Sequence, residues 1–261
     1  MRFVGVIPAR LASTRLPGKP LLEIAGRTLI EWVYRQTLRA KVLERVVVAT
    51  DDQRIAEVVE GFGGEALMTR SDHLSGTDRV AEAAGKIEAD AFINVQGDEP
   101  LIAPQTIERV AWALRDENSL GQASPISTAC VEIEEEREFA SPDVVKVVRD
   151  RAGRALYFSR APVPYRRGEK VPVFKHLGIY GYRRQMLLEM ASYPPTALEK
   201  SECLEQLRWL ENGIPIRVVE VEHDSLGVDT PDDLERVRPL LENAPQDTVL
   251  ELKAQRGKGP R

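Results

Sequence analysis

The chain has 261 residues, a formal net charge of −5, 43% hydrophobic residues and 30% charged residues. These values are typical of a globular protein with one large domain or two modest ones. An acidic chain does not have the bulk positive charge by which many proteins hold nucleic acid, so we expect no nucleic-acid partner.

Two further features indicate where in the cell the protein is located. The N-terminal residues have the pattern of a strand rather than a signal peptide, and no apolar run approaches ~18 residues. We therefore expect no membrane insertion and a cytoplasmic location. The two cysteines, Cys130 and Cys203, have neither metal-ligand spacing nor the density of a disulfide framework, and we expect both to be buried.

The opening segment combines a strand with a basic loop. An apolar run over residues 3–7 stops at Pro8, and small residues and the cations Arg10, Arg15 and Lys19 follow. Backbone amides of such a loop can approach a phosphate, and its cations can neutralise the charge. The standard P-loop pattern is absent, so an ordinary basic surface loop remains the alternative.

The first third of the chain is predicted to be β-α-β-α-β. The elements are a helix over 28–40 with Thr28 as its N-cap, a strand over 45–50, a helix that Asp51 and Asp52 cap, and a strand near 65–68. Apolar strands without alternation favour a parallel sheet covered by helices on both faces. Ligands of such sheets bind beyond the carboxyl ends of the strands, where the basic loop lies.

Two further segments carry polar groups at such positions. Ser75, Gly76 and Thr77 either begin a helix or face a nucleotide. A strand over 91–95 ends in a Gly-Asp pair, where Asp98 could hold Mg²⁺ against a phosphate or could simply be a turn residue.

The second half is predicted to contain shorter strands and a hairpin. They lie over 123–131, 144–149, 155–158, 175–182 and 214–221, with one helix over 199–210. Arg160 and His176 could bind an acidic substrate, or could be a surface arginine and a core histidine. The last helix has Thr230 as N-cap, Pro231 at its first position and Asp233 at its third. This capping does not explain Asp229, which we interpret as the partner of Asp98.

The chain resembles the 3-deoxy-manno-octulosonate (Kdo) cytidylyltransferase family. The motifs are IPARLASTRLPGKPL (7–21), SGTDR (75–79), NVQGDEP (94–100), YFSRAP (157–162), HLGIYGY (176–182), LEQLR (204–208) and GVDT (227–230). They run in order over roughly the first 240 residues. The resemblance implies an α/β fold of the nucleotide-diphospho-sugar transferase type, Rossmann-like, with a mainly parallel central sheet flanked by helices. A smaller mixed β subregion lies in the second half.

The resemblance also implies the organisation and the reaction. We expect a single domain over 1–243, with a sugar-binding and dimerisation subregion over about 120–200. The tail over 244–261 matches no motif of the family, and we expect it to be flexible, as chain termini often are. The enzyme would join CTP and Kdo to give CMP-Kdo and diphosphate for lipopolysaccharide biosynthesis, and family members are typically homodimers.

The implied site divides into functional groups. The catalytic residues would be Arg10, Lys19, Asp98 and Asp229, of which the two aspartates would hold the cofactor Mg²⁺. The CTP side would comprise Ala9, Arg15, Ser75, Gly76 and Gln96, and the sugar side Arg160, His176, Tyr180 and Gln206. The alternatives are cytidylyl transfer to another sugar acid, such as sialic acid or amino-Kdo, and a non-catalytic nucleotide-sugar-binding protein.

Overall fold

The computed structural model describes residues 1–12, 16–115 and 123–243. The strands are β1 (Phe3–Ala9), β2 (Glu23–Ile24), β3 (Arg27–Thr28), β4 (Leu43–Thr50), β5 (Ala66–Met68), β6 (Ala91–Asn94), β7 (Ile126–Glu132), β8 (Lys146–Arg149), β9 (Ala155–Ser159), β10 (Phe174–Arg183) and β11 (Ile216–Glu220). The α-helices are α1 (Leu29–Leu38), α2 (Gln53–Gly61), α3 (Gly76–Lys86), α4 (Pro104–Ala113), α5 (Glu136–Ala140), α6 (Arg184–Met190), α7 (Ala197–Glu202), α8 (Gln206–Glu211) and α9 (Pro231–Glu242). A 3₁₀ helix covers Lys19–Leu21.

The described residues form two compact units, which we name after a strand in each. The β1 unit comprises Val4–Ile87, Asn94–Pro104 and the residues from Ser225 onward. The β10 unit comprises Met1–Phe3, Glu88–Ile93 and Gln105–Asp224. The expectation of a single domain over 1–243 stays a prediction, and the predicted tail over 244–261 lies outside the described residues.

The β1 unit is built on apolar strands in the order β1-β4-β5, and β4 pairs with β5 in parallel. The strand interiors are buried without alternation, as expected for a sheet that is covered on both faces. A separate apolar cluster joins Leu29 and Trp32 of α1 to Val237 and Leu241 of α9, with Val228 among them. This cluster fixes the segment that precedes α9.

The β10 unit contains a mixed sheet in the order β11-β7-β10-β6. Strand β7 pairs with β11 in parallel and with β10 in antiparallel orientation. Strand β8 pairs in antiparallel orientation with both β9 and β10, so that Lys146 lies opposite Ser159 on one side and Lys175 on the other. The predicted α/β class, mainly parallel with a smaller mixed β subregion in the second half, is confirmed.

Most predicted helix starts are confirmed by their capping contacts. Thr28 caps α1, and its hydroxyl accepts a hydrogen bond from the amide of Glu31 at 3.4 Å. Asp52 caps α2 by accepting from the amide of Arg54 at 3.0 Å. The prediction that Asp51 also caps this helix is wrong, because its carboxylate instead pairs with the guanidinium of Arg79 in α3.

Three other expectations are wrong. The single helix predicted over 199–210 is interrupted at Cys203, which adopts a left-handed conformation with φ of 54° and separates α7 from α8. That residue is also exposed, whereas Cys130 is buried as expected. Strand β1 continues through Pro8, which is compatible with a strand position whose N–H the ladder does not use.

The structure also contains elements that the pattern did not predict, including the β2–β3 pair and helix α6. Within the described ranges, no helix combines the length and the apolar character needed to span a membrane.

Candidate active site

A cavity of about 370 Å³ opens in the β1 unit at the carboxyl end of β1. Its lining comprises Pro8, Ala9, Arg10, Ala12, Lys19, Pro20, His73, Leu74, Ser75, Gly76, Arg79, Gln96, Gly97, Asp98 and Asp229. Every nucleotide-side and catalytic residue that the sequence predicted is therefore in one cavity, except Arg15, which lies outside the described residues.

Backbone contacts explain why these chain segments meet. The amide of Val95 donates to the carbonyl of Val6 at 3.0 Å, which carries β1 and the segment after β6 to the same edge. A Cβ atom on Gly97 would lie 2.9 Å from the carbonyl oxygen of Pro8, so this close approach requires glycine. The amide of Val228 donates to the carbonyl of Asp98 at 2.9 Å, which brings Asp229 to the cavity.

Lys19 joins the two aspartates. Its Nζ atom lies 2.7 Å from Oδ2 of Asp98 and 2.9 Å from Oδ1 of Asp229. Gly18 precedes it in a left-handed conformation with φ of 70°, and the 3₁₀ turn that follows directs the side chain into the cavity. Burial alone would lower the pKa of Lys19, but the carboxylates of Asp98 and Asp229 raise it above its ordinary value. The lysine is therefore an ammonium at neutral pH.

The same pair of carboxylates fits a magnesium site. The two side chains come from segments 131 residues apart and still place their oxygens around one positive atom. Both are partly accessible, with 29% and 42% of their surface exposed. Mg²⁺ takes oxygen ligands, needs few from the protein and keeps water or phosphate oxygens for the rest. Among the described residues, no group of three or more acidic, histidine or cysteine side chains is placed to hold a metal ion, so a metal here would have two carboxylates as its protein ligands.

The start of α3 forms another part of the wall. The hydroxyl of Ser75 accepts from the amide of Asp78 at 3.1 Å, and the Asp78 carboxylate accepts from the amide of Ser75 at 3.1 Å. This capping box confirms that Ser75 begins a helix. Since Ser75 and Gly76 also line the cavity, the positive end of the helix dipole borders it and favours an anion there.

Sequence reasoning did not assign a role to two polar pairs beside the cavity. His73 lies with its Nε2 atom 2.5 Å from a carboxylate oxygen of Glu82, and Arg79 lies 3.2 Å from Asp51. Burial raises the pKa of Glu82, but hydrogen bonds from Lys86, the backbone of Arg70 and His73 lower it to about 2. The SGTDR motif contains Arg79, whereas its partner Asp51 comes from another segment and left no local signal.

The predicted sugar-side residues lie in the β10 unit. The amide of His176 donates to the carbonyl of Val145 at 2.8 Å, and Arg160 is the residue after Ser159, which pairs with Lys146. Adjacent antiparallel strands thus bring Arg160 and His176 to either side of Val145.

His176 is a partly buried, neutral histidine. Its Nε2 atom lies 2.9 Å from the hydroxyl oxygen of Thr128, and its ring contacts Phe158 and Tyr180 at centroid distances of 4.9 and 5.4 Å. This burial lowers the pKa of His176 to about 3. The ring of His176 lies among aromatic side chains, and its role on the sugar side stays a prediction.

Tyr180 and Gln206 are also buried. Tyr180 stacks on Tyr182 and makes an edge contact with Trp209. Burial, followed by the charge of Glu205, raises the pKa of Tyr180 well above its ordinary value, so its phenol stays protonated. Gln206 is 5% exposed at the start of α8. The structure thus brings His176 and Tyr180 into contact, while the roles of all four sugar-side residues stay predictions.

Comparison with known proteins places this geometry in a class. A family model described as cytidylyltransferase matches residues 4–219. The fold alone is shared with 4-diphosphocytidyl-2C-methyl-D-erythritol synthase from Anaerococcus prevotii, which is 14% identical with a TM-score of 0.61 over 93% of this chain and 99% of that one. Fold and family model together define a nucleotidyltransferase that uses a cytidine nucleotide.

Closer relatives give the particular family. The 3-deoxy-manno-octulosonate cytidylyltransferase of Syntrophotalea carbinolica is 51% identical over 92% of this chain and 99% of its own, and that of Geobacter sulfurreducens is 50% identical over 92% and 100%. A solved structure of CMP:2-keto-3-deoxy-manno-octonic acid synthetase complexed with CTP is 48% identical, with a TM-score of 0.87, over 92% of this chain and 98% of that one. The chain belongs to the 3-deoxy-manno-octulosonate cytidylyltransferase family, as the resemblance of its motifs predicted.

Proposed function

We propose that this protein transfers the cytidylyl group of CTP to 3-deoxy-manno-octulosonate, giving CMP-Kdo and diphosphate for lipopolysaccharide biosynthesis. The observation that carries the proposal is the convergence of Lys19 with Asp98 and Asp229 in a cavity that also contains Arg10. Binding of a nucleotide-sugar alone would not require two carboxylates placed around one cationic position. Membership of the family supplies the substrate class.

The reaction is a displacement at phosphorus. The anomeric hydroxyl oxygen of the sugar acid forms a bond to the α-phosphorus, and the bond from that phosphorus to the bridging oxygen breaks. The hydroxyl proton is released, and diphosphate leaves with the bonding electrons. Negative charge develops on the leaving oxygen, where Arg10 and the Lys19 ammonium would neutralise it.

Asp98 and Asp229 would hold Mg²⁺. When bound, the ion supplies positive charge to phosphate oxygens and favours loss of the hydroxyl proton. Lys19 would add a positive charge beside the phosphates, because its ammonium lies between the two carboxylates at the wall of the cavity. The start of α3 at Ser75 and Gly76 would bind the CTP side through the positive end of the helix dipole.

The sugar side would be recognised in the β10 unit. The planar guanidinium of Arg160 suits the carboxylate of a sugar acid. His176 is neutral, so it would contribute a hydrogen bond rather than a charge, and the protonated phenol of Tyr180 would do the same. Gln206 would line this part of the site.

Diphosphate release with CTP and a panel of sugar acids tests the proposal. We expect turnover with Kdo, in the presence of Mg²⁺, to exceed turnover with sialic acid or amino-Kdo by at least about 100-fold, which is about 3 kcal/mol of discrimination. Activity only with another sugar acid would refute the substrate assignment. Binding of CTP without turnover of any sugar acid would favour the non-catalytic alternative. We also infer a homodimer in the cytoplasm, and light scattering of the purified protein tests the dimer.

A further inference from the structure

Lys146 is a charged side chain with no exposed surface. Its Nζ atom donates to the carbonyl oxygens of Ser141 at 2.8 Å, Val144 at 2.7 Å and Arg160 at 2.5 Å. An ammonium has three N–H groups, so each of them has an acceptor. Burial lowers the pKa of Lys146, with a smaller opposing effect of Glu202, and such a group is tolerated inside a protein only with this complete set of partners.

Glu202, the last residue of α7, holds the same segment through different atoms. One carboxylate oxygen accepts from the hydroxyl of Ser159 at 2.6 Å and the other from the amide of Arg160 at 2.9 Å. Its backbone carbonyl accepts from Nε of Arg160, also at 2.9 Å. The amide and the carbonyl of Arg160 are therefore fixed by a carboxylate and an ammonium respectively.

The guanidinium of Arg160 is fixed on the segment that Lys146 binds. Its Nη1 atom donates to the carbonyl of Pro142 at 3.0 Å. Pro142 lies between Ser141 and Val144, whose carbonyls both accept from Lys146. Among the described residues, none accepts a hydrogen bond from the Nη2 atom of Arg160. The arrangement holds the guanidinium through Nε and Nη1 and leaves the Nη2 N–H groups for a ligand.

We propose that Lys146 and Glu202 are positioning residues, which fix Arg160 in the orientation that receives the carboxylate of the sugar acid. This inference rests on the sugar-side role of Arg160 in the proposed function. An arginine whose backbone and guanidinium are both held loses less conformational freedom on binding. Displacement of a binding group by as little as 1 Å can cost about 100-fold in an enzymatic rate.

Replacement of the Lys146 ammonium by an apolar side chain would leave three carbonyl oxygens without this donor, so the charge contributes to stability as well as to the position of Arg160. An apolar residue at position 146 would fill the space without making contacts to Ser141, Val144 and Arg160. The ammonium instead connects two loop segments that the β8–β9 pairing alone does not join.

The variants Lys146→Met and Glu202→Gln test the proposal in the full chain. For each, we expect the KM for the sugar acid to rise about 10- to 100-fold, while the KM for CTP changes by less than about twofold. Val218→Ala is the control, because it removes buried volume from β11 of the same unit without touching Arg160. If the lysine variant does not fold, Glu202→Gln carries the test, since a glutamine retains one acceptor oxygen.

The outcomes separate this inference from the proposed function. A selective rise in the sugar-acid KM in the two variants, with no such rise in Val218→Ala, supports it. Equal changes in the KM values of both substrates, or the same change in the control, would overturn it. Arg160→Lys is measured in parallel. If that variant raises the sugar-acid KM and the positioning variants do not, only the inference fails. An unchanged sugar-acid KM in Arg160→Lys would refute the sugar-side role of Arg160 itself.

Discussion

The cavity of the β1 unit and the Arg160 network of the β10 unit use charge in opposite ways. In the cavity, Lys19, Asp98 and Asp229 bond to one another and keep 15%, 29% and 42% of their side-chain surface exposed. In the network, Lys146 is completely buried and bonds only to backbone carbonyls. The first arrangement can exchange its partners for a ligand, whereas the second cannot without disturbing the chain.

The difference separates two tasks. Charges that meet a ligand must be accessible and must tolerate rearrangement, since a bound anion or cation changes their partners. Charges that orient another residue are most effective where water cannot compete, because a low dielectric strengthens each hydrogen bond. Substitutions in the cavity should therefore lower turnover, whereas substitutions in the Arg160 network should weaken binding of the sugar acid selectively.

The largest expected effect is on turnover, from Asp98→Asn. Loss of one carboxylate charge should lower kcat about 100- to 1,000-fold, while CTP still binds weakly through the other walls of the cavity. Steady-state diphosphate release and CTP titration by calorimetry measure the two quantities. Asp232→Asn is the matched control, because that aspartate is exposed in the first turn of α9 and does not line the cavity. Near-normal kcat in Asp98→Asn would refute the assignment of the metal-binding carboxylates.

An intermediate effect is expected from pH, through His176. Its folded-state pKa is about 3, below the unfolded value of about 6.5. A base with a depressed pKa favours folding above its unfolded pKa, and this contribution is lost as the pH falls from about 6.5 towards 3. Linkage gives a loss of about 2 kcal/mol between pH 8 and pH 5.

The measurement is the free energy of unfolding in denaturant at these two pH values. His176→Gln should reduce the loss between them, whereas the exposed His223→Gln should leave it as in the wild-type protein. If both variants keep the full pH dependence, His176 is not the group whose pKa is depressed in the folded protein.

The smallest expected effect comes from the cap of α9. Thr230→Ala removes the hydroxyl that accepts from the amide of Asp233 at 3.2 Å and should lower the free energy of unfolding by about 1 kcal/mol. Since Asp233 also accepts from the amide of Asp229 at 3.2 Å, kcat should fall about two- to fivefold in the same variant. Thr28→Ala, at the cap of α1, should reduce stability without lowering kcat. Thermal melts and initial rates distinguish the two variants.

Local patterns predicted much of the fold and the residues of the cavity. Strand ends, caps and the Gly-Asp pair are encoded within a few residues, so Asp98, Asp229 and Ser75 could be identified before their convergence was visible. Asp229 could be proposed as the partner of Asp98 because the capping of α9 accounts for Asp233 but gives no role to Asp229.

Long-range contacts could not be predicted in this way. The local pattern around Lys146 does not indicate that its ammonium would be buried, because the acceptor that completes its hydrogen bonds is the carbonyl of Arg160, 14 residues away. The left-handed conformation of Cys203 is equally hidden, since the surrounding residues have an uninterrupted helical pattern. Likewise, the sequence indicates a phosphate as the ligand of Lys19. It does not reveal the contacts of Lys19 with both aspartates, because these form only when distant segments fold together.

The interruption between α7 and α8 has a practical consequence for spectroscopy. The chain has two cysteines. Cys130 is buried, and this burial raises its pKa to about 12, whereas Cys203 is exposed. Thiolates are the reactive form of cysteine, so a maleimide dye should label Cys203 selectively in the unmodified protein. The fluorophore would then lie next to Glu202 and could report optically when a sugar acid reaches the segment that this residue holds.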